Sequence, residues 1–187
     1  MQPLILSHAQ PLPSYSENPS LKQGDIMPKK LFETGCCPRF NPTPWQNKIN
    51  KWKNKKFVKD TVRCFFHIPL GMDKVMINNM KLINKARAKN TESIMLMDDR
   101  GLFASDIYIA VDKSVPGAQM TTFSGTFLSR VYEGGYQESG KWARDMAAYV
   151  KSKGKQMKKL YFSYTTCPAC AKAYGKNYVV LFAKVSD

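Results

Sequence analysis

Histidine is scarce in this sequence: two residues in 187, His8 and His67. A cysteine nucleophile that needs an imidazole base therefore has little to draw on. His8 falls in a polar amino-terminal stretch. His67 falls on the face of a predicted strand opposite Cys64 and reads as a satisfied sheet residue. Acidic side chains are also few, 14 Asp and Glu against 29 Lys and Arg, for a formal charge of +15. Such an excess attracts anions: nucleic acid, an acidic protein or an anionic small molecule. Long apolar runs are missing, and none approaches the ~20 residues of a membrane span. "MQPLILSHAQ" offers only Leu4 to Leu6 as an apolar run, where a secretory segment needs about 7–15 apolar residues. The expected location is the cytoplasm, where thiols stay reduced. The sequence also lacks a Gly-rich phosphate loop, H-E-x-x-H and G-x-S-x-G. It has no helix-turn-helix, RNP or C2H2 signature.

What is present argues for a folded chain. Apolar residues make up 43% and aromatics 12%, enough for a core in one domain or two small fused units. Residues 1–27 are rich in Pro, Ser, Gln and Asn without a period, the composition of a disordered tail. Met27 is a candidate start. Residues 28–60 read as an irregular arm, because Pro38, Pro42 and Pro44 forbid a helix. Trp45 and Trp52 sit there among lysines and need somewhere to bury their rings.

From Thr61 the periodicity sharpens. "TVRCFFHIPL" alternates as a strand with Val62 and Cys64 on one face, Cys64 being core. Met72, Met76, Met80 and Ile83 have helical spacing over 72–88. "ESIMLM" and "SDIYIAVDK" read as strands on either side of the turn signal "DDRG". A long strand follows in "AQMTTFSGTFLSRVYEG", with Gly125 at a bulge or bend. Trp142, Met146, Tyr149 and Val150 mark a helix over 139–153, ended by Gly154. "KKLYFSYTT" and "NYVVLFAKV" close the chain as strands. The order β-α-β-β thus occurs twice, over 61–114 and 118–187. The expected fold is α+β: duplicated β-α-β-β units, a largely antiparallel sheet, helices on one side and a concave ligand cleft.

The run "GTFLSRVYEGGYQESGKWARDMAAYVKSKGK" resembles the GyrI-like small-molecule-binding family. That family shows a strand leading into a Gly-x-Tyr element, then a helix with an early Trp and a basic Gly-ended turn. Gly134, Gly135, Tyr136 and Trp142 match it, and the resemblance covers roughly residues 57–185. It implies a cleft between the two repeats that binds hydrophobic or cationic ligands. Some relatives are hydrolases, and the related SOUL-type fold binds haem. Three departures stand out: the proline-rich arm, the insert "TTCPACAKAYGK" between the last two strands, and no acidic residue on "KLYFSY".

Five cysteines remain to be placed. Cys167 and Cys170 have C-x-x-C spacing in a turn, and Cys36 and Cys37 are adjacent between Gly35 and Pro38. Four sulfur ligands suit a structural zinc that staples the arm to the last hairpin. Thioredoxin-type redox chemistry, a catalytic cysteine and plain packed thiols are the other readings of the same spacing. Glu133, beside the Gly-Gly-Tyr turn, is a candidate general base that activates water, with Tyr136 or Tyr164 donating a hydrogen bond to the leaving group. Trp142, Phe162 and Tyr164 are candidate walls for a flat apolar ligand, or equally core. Phe162 and Tyr164 share one strand face, so both must fall the same way. The lysine run "KINKWKNKKFVK", with Trp52 inside it, suits phosphate contact and base stacking but reads better as a solvated, solubilising surface. The expected function is binding of a small, mostly apolar molecule, with hydrolysis of it where the family resemblance extends to chemistry. The alternative is a non-catalytic, zinc-stapled basic module contacting nucleic acid or an acidic protein such as gyrase.

Overall fold

Strands β1 (Lys48–Phe65) and β5 (Gln119–Glu133) are the longest elements, and their pairing closes the sheet. The computed structural model describes residues 33–66, 68–90 and 92–186. The expected tail, Met27 and His67 lie outside the described residues. Between the two long strands come β2 (Ile68–Leu70), α1 (Met72–Lys85), β3 (Met95–Asp99) and β4 (Ala104–Val111). After β5 come a single 3-10 turn (Tyr136–Glu138), α2 (Ser139–Ser152), β6 (Met157–Tyr164), α3 (Pro168–Tyr174) and β7 (Tyr178–Val185).

The strand order is β2-β1-β4-β3-β6-β7-β5 with an added β1–β5 pairing, and every pairing is antiparallel. Six strands therefore form a closed barrel, with β2 attached beyond it. The α+β class and the antiparallel sheet agree with expectation. The open, concave aromatic face does not form, because β1 and β5 join its two edges and turn that face inward.

Alternation along each strand then sorts residues inside and out. Phe57, Leu96, Tyr108, Ala110, Phe127, Tyr161, Val180 and Phe182 share the inner cluster. Their neighbours Leu128, Val179, Leu181, Ala183 and Val185 face outward and are covered by Trp142, Met146 and Val150 of α2. Val58, Ile109 and Val111 are covered in the same way by Ile83 of α1. Both long helices thus lie on the outer face of the sheet. α1 is further tied down by Asn79, whose side-chain nitrogen donates to Asp60 at 2.6 Å.

The irregular arm expected through residue 60 is wrong from Lys48 onward, where the chain is already in β1. Alternation is hidden there by lysines on the outward face and by a bulge after Trp52, where Asn54 takes φ 50°. Gly125, opposite Trp52, sits at φ 117°, which a side chain would strain. Trp52 is an inner residue, stacked on Phe127 at 4.2 Å and near Phe57 and Phe182.

Residues 40–47, ahead of β1, are irregular and plug one barrel end. Trp45 meets Phe182 edge-on at 5.5 Å and Phe40 packs on Tyr178. Ser129 Oγ donates to the Trp45 carbonyl, and Gln46 Oε1 accepts from the Val131 amide. Taken by itself, the described stretch 33–39 is a turn in which Arg39 makes two hydrogen bonds to Glu33. The chain divides at Arg39. No described helix is long and apolar enough to cross a membrane.

Trp52→Ala should lower unfolding free energy by about 4 kcal/mol, as for large core truncations. Denaturant titration checks this. A loss near zero would mean that Trp52 is the surface residue its lysine-rich context suggests.

Candidate functional site

The barrel end opposite the plug is polar. Asp98 on β3 and Asp106 on β4 are directly opposed in the ladder, and both are buried. They point inward because they alternate with Leu96 and with Tyr108, which are inner residues. Two facing carboxylates repel unless each is balanced. Lys159 Nζ lies 2.7 Å from Asp98, and Lys59 Nζ lies 3.0 Å from Asp106. Thr61 Oγ1 donates to Asp106 at 2.7 Å, Arg100 at 3.4 Å, and the Tyr108 hydroxyl at 3.4 Å.

The same two lysines lie over tyrosine rings, Lys59 at 5.8 Å from Tyr108 and Lys159 at 6.0 Å from Tyr161. The Lys159 side chain is 48% exposed and that of Arg100 57%, so solvent reaches this mouth. Burial alone would raise the pKa of Asp106. The Thr61 hydrogen bond and the Lys59 and Arg100 charges outweigh it and hold the carboxyl below its ordinary value. Burial, then the nearby Asp106 and Asp98 charges, pushes Tyr108 up. Burial, then Asp98, pushes Tyr161 up to about 12. Both phenols stay protonated near neutral pH, and Tyr108 donates to Asp106.

The four cysteine sulfurs of Cys36, Cys37, Cys167 and Cys170 all lie within 4.8 Å of one another, close enough together to hold a metal ion. Cys36 and Cys37 sulfurs are 3.7 Å apart. At a zinc–sulfur length of about 2.3 Å, tetrahedral ligands stand about 3.8 Å apart. The C-x-x-C pair opens α3: Cys167 precedes Pro168 at the first helical position, and Cys170 is buried one turn on. Gly175 stops the helix at φ 66°. Cys64 is buried in the outer face against Ser105, as expected of a core thiol.

The other expected site residues lie elsewhere. Trp142, Phe162 and Tyr164 are brought together under α2 with Tyr132, as packing. Trp142 stacks on Tyr132 at 5.8 Å and is buried, while Phe162 and Tyr164 stack at 6.4 Å and share one fate. Tyr136 is exposed on the turn beside them. Glu133 accepts from Lys176 at 3.4 Å and is exposed. Gly134 is held at φ 146°, and a Cβ there would press on the Trp142 ring at 3.2 Å. This explains the Gly-Gly-Tyr turn as a packing requirement.

Sequence reasoning missed Asp98 and Asp106. The available signal was Asp106 in phase with Tyr108 and Ala110, on a strand whose other face is equally apolar. A strand buried on both faces has no solvated side on which to leave a carboxylate.

Barrel, outer helices and inward carboxylates define an α+β domain with a polar, solvent-reached site at one end of an aromatic interior. The family described as Bacterial hydrolase matches residues 27–185, and the chain belongs to it. Among solved structures, the chain shares its fold with the EcmrR C-terminal domain. The TM-score is 0.57 at 11% identity, over 76% of this chain and 98% of that one. A hydrolase from Listeria innocua gives a TM-score of 0.53 at 12% identity, over 75% and 92%. An uncharacterized conserved protein from the same organism gives 0.55 at 10% identity, over 75% and 92%. A comparison with curated proteins gives no match.

Because the pKa of Asp106 is lowered from 3.8, its contribution to stability is complete above about pH 4 and is lost as the pH falls through the depressed value. Asp106→Asn should cost about 3 kcal/mol at pH 7, since it leaves Lys59 without its buried partner. The gap between variant and parent should close as the pH drops below 3.8. Chemical denaturation across pH 2–7 reads both. A cost that is independent of pH would count against the charge argument.

Proposed function

We propose that this chain binds a small, mostly apolar molecule at the open end of its barrel and hydrolyses it there. The observation that carries this reading is the opposed pair Asp98 and Asp106, buried at the rim of an aromatic interior and each held by a lysine. Asp98 takes a proton from water as the water oxygen attacks the substrate's electrophilic carbon. The ammonium groups of Lys159 and Lys59 face the oxyanion that develops. The proton then passes from Asp98 to the leaving group. Asp106, kept ionised by Thr61 and Lys59, fixes the position and charge of Lys59.

The apolar preference draws support from the rim itself. The turn that carries Arg100 also exposes Leu102 and Phe103, and Phe103 lies near Phe66. Apart from the short β2 and α3, the order strand, helix, strand, strand runs from β1 and again from β5, which supports reading the domain as two GyrI-like repeats.

A panel of nitrophenyl esters and lactones tests the activity. Asp98→Asn should reduce kcat by at least about 100-fold, the usual share of a general base. Glu133→Gln and Tyr136→Phe should leave it unchanged. The opposite pattern would move the site to the Gly134 turn, where the sequence first suggested it.

We also infer that Cys36, Cys37, Cys167 and Cys170 hold a structural zinc. An all-sulfur, four-ligand set is the donor chemistry of tetrahedral zinc, and the reading goes with a reducing compartment such as the cytoplasm. Purified chain should carry one zinc per molecule by elemental analysis, and Cys167→Ser should lose it. Affinity should fall with pH as protons compete for the thiolates. A chain that takes up no zinc under reducing conditions would remove this assignment.

A further inference from the structure

Outside the barrel, far from the carboxylate pair, a groove of about 420 Å³ is lined by Ile49, Lys51, Thr126, Leu128, Lys153 and Lys155. Its origin is local. Ile49 and Lys51 point outward from the first half of β1, directly opposite Leu128 and Thr126 of β5. Leu128 is buried and forms an apolar floor, and Ile49, 62% exposed, forms one wall. The other wall is the turn that ends α2. The backbone N–H groups of Lys153 and Lys155 both donate to the Val150 carbonyl, and Gly154 between them takes φ 67°. That cap fixes both lysine backbones beside the groove.

The lining contains no acidic residue. Among the described residues, Lys51, Lys153 and Lys155 enter no ion pair, whereas Lys55, Lys59, Lys141, Lys159 and Lys176 each do. An exposed isoleucine is unremarkable alone. Here it continues a buried leucine into solvent, in a recess of small-ligand size lined by three lysines and no carboxylate, Lys153 also lying over the Tyr149 ring at 5.5 Å. Apolar floor and cationic rim call for one kind of occupant, a molecule with a short alkyl body and an anionic head.

We propose that this groove is a binding site for a medium-chain alkyl carboxylate, with the head on Lys51, Lys153 and Lys155 and the chain along Ile49 and Leu128. The site is distinct from the barrel mouth, and its occupancy does not depend on hydrolysis there. Charge complementarity sets its selectivity. A cationic amphiphile of equal length is rejected, and a neutral one binds only through its chain.

Calorimetry on the full chain at low salt tests this with decanoate, decanol, decyltrimethylammonium and inorganic phosphate. Decanoate should bind at least about tenfold more tightly than decanol and lose that advantage in high salt. The ammonium compound should not bind. Shortening the carboxylate should weaken binding by up to about fourfold per CH₂. The double variant Lys153→Ala, Lys155→Ala should lose the preference for decanoate over decanol. Ile49→Ser should flatten the chain-length series. Methyl resonances of Ile49 and Leu128 should shift on titration. Equal affinity for decanol and decanoate would overturn the proposal, as would phosphate binding as tightly as decanoate or methyl shifts confined to other sites.

Discussion

Pairing of β1 with β5 is the contact on which the rest of the structure depends. β1 holds β5 from Lys48 to Lys59 and β4 from Lys56 to Arg63, so it joins one half of the sheet to the other. An extended strand of its 18 residues would run about 60 Å. It turns the corner at the bulge around Asn54, across from Gly125. Closure leaves the six barrel strands without free edges. It also converts the two faces of the sheet into an interior and an exterior with different rules.

The interior of a six-stranded barrel must be filled by side chains. Here rings fill it, with Trp52, Phe57, Phe123, Phe127, Tyr161 and Phe182 in mutual contact. Charge is tolerated only where solvent still reaches, at the mouth. There each carboxylate is balanced separately, Asp98 by Lys159 and Asp106 by Lys59 with Thr61 and Arg100. Removing one member strands a buried charge on another, so position and charge of the group are held as a unit. Such rigidity suits a site that must stabilise charge without rearranging.

Legibility in the sequence followed solvation. β7 and α2 were readable because their apolar residues are continuous or periodic, Val179 to Val185 on both faces and Trp142, Met146 and Val150 on one stripe. The first half of β1 was not. Its outward residues mix Ile49 with Lys51, its inward ones mix Asn50 with Trp52, and the alternation breaks where the strand bends. Closure left no local mark at all, since it is a pairing between residues some 70 apart such as Lys56 and Thr122. The cysteine cluster was legible because C-x-x-C spacing carries its own geometry. The carboxylate pair was hidden because "MLMDD" also reads as a strand running into a turn.

Closure also decides where function can sit. An open sheet would have offered its aromatic face as the binding surface. In the closed barrel that face is occupied by its own rings, and only the ends and the outer grooves remain. One end is taken by residues 40–47, with Trp45 on Phe182, the Trp45 carbonyl bonded to Ser129 and the Gln46 side chain bonded to the Val131 amide. The other end keeps the charges, with Lys159 and Arg100 exposed to solvent. The short irregular segment that first looked like an appendage therefore makes the two barrel ends unlike. It seals the apolar end against water and leaves the carboxylates as the route by which water meets the aromatic interior.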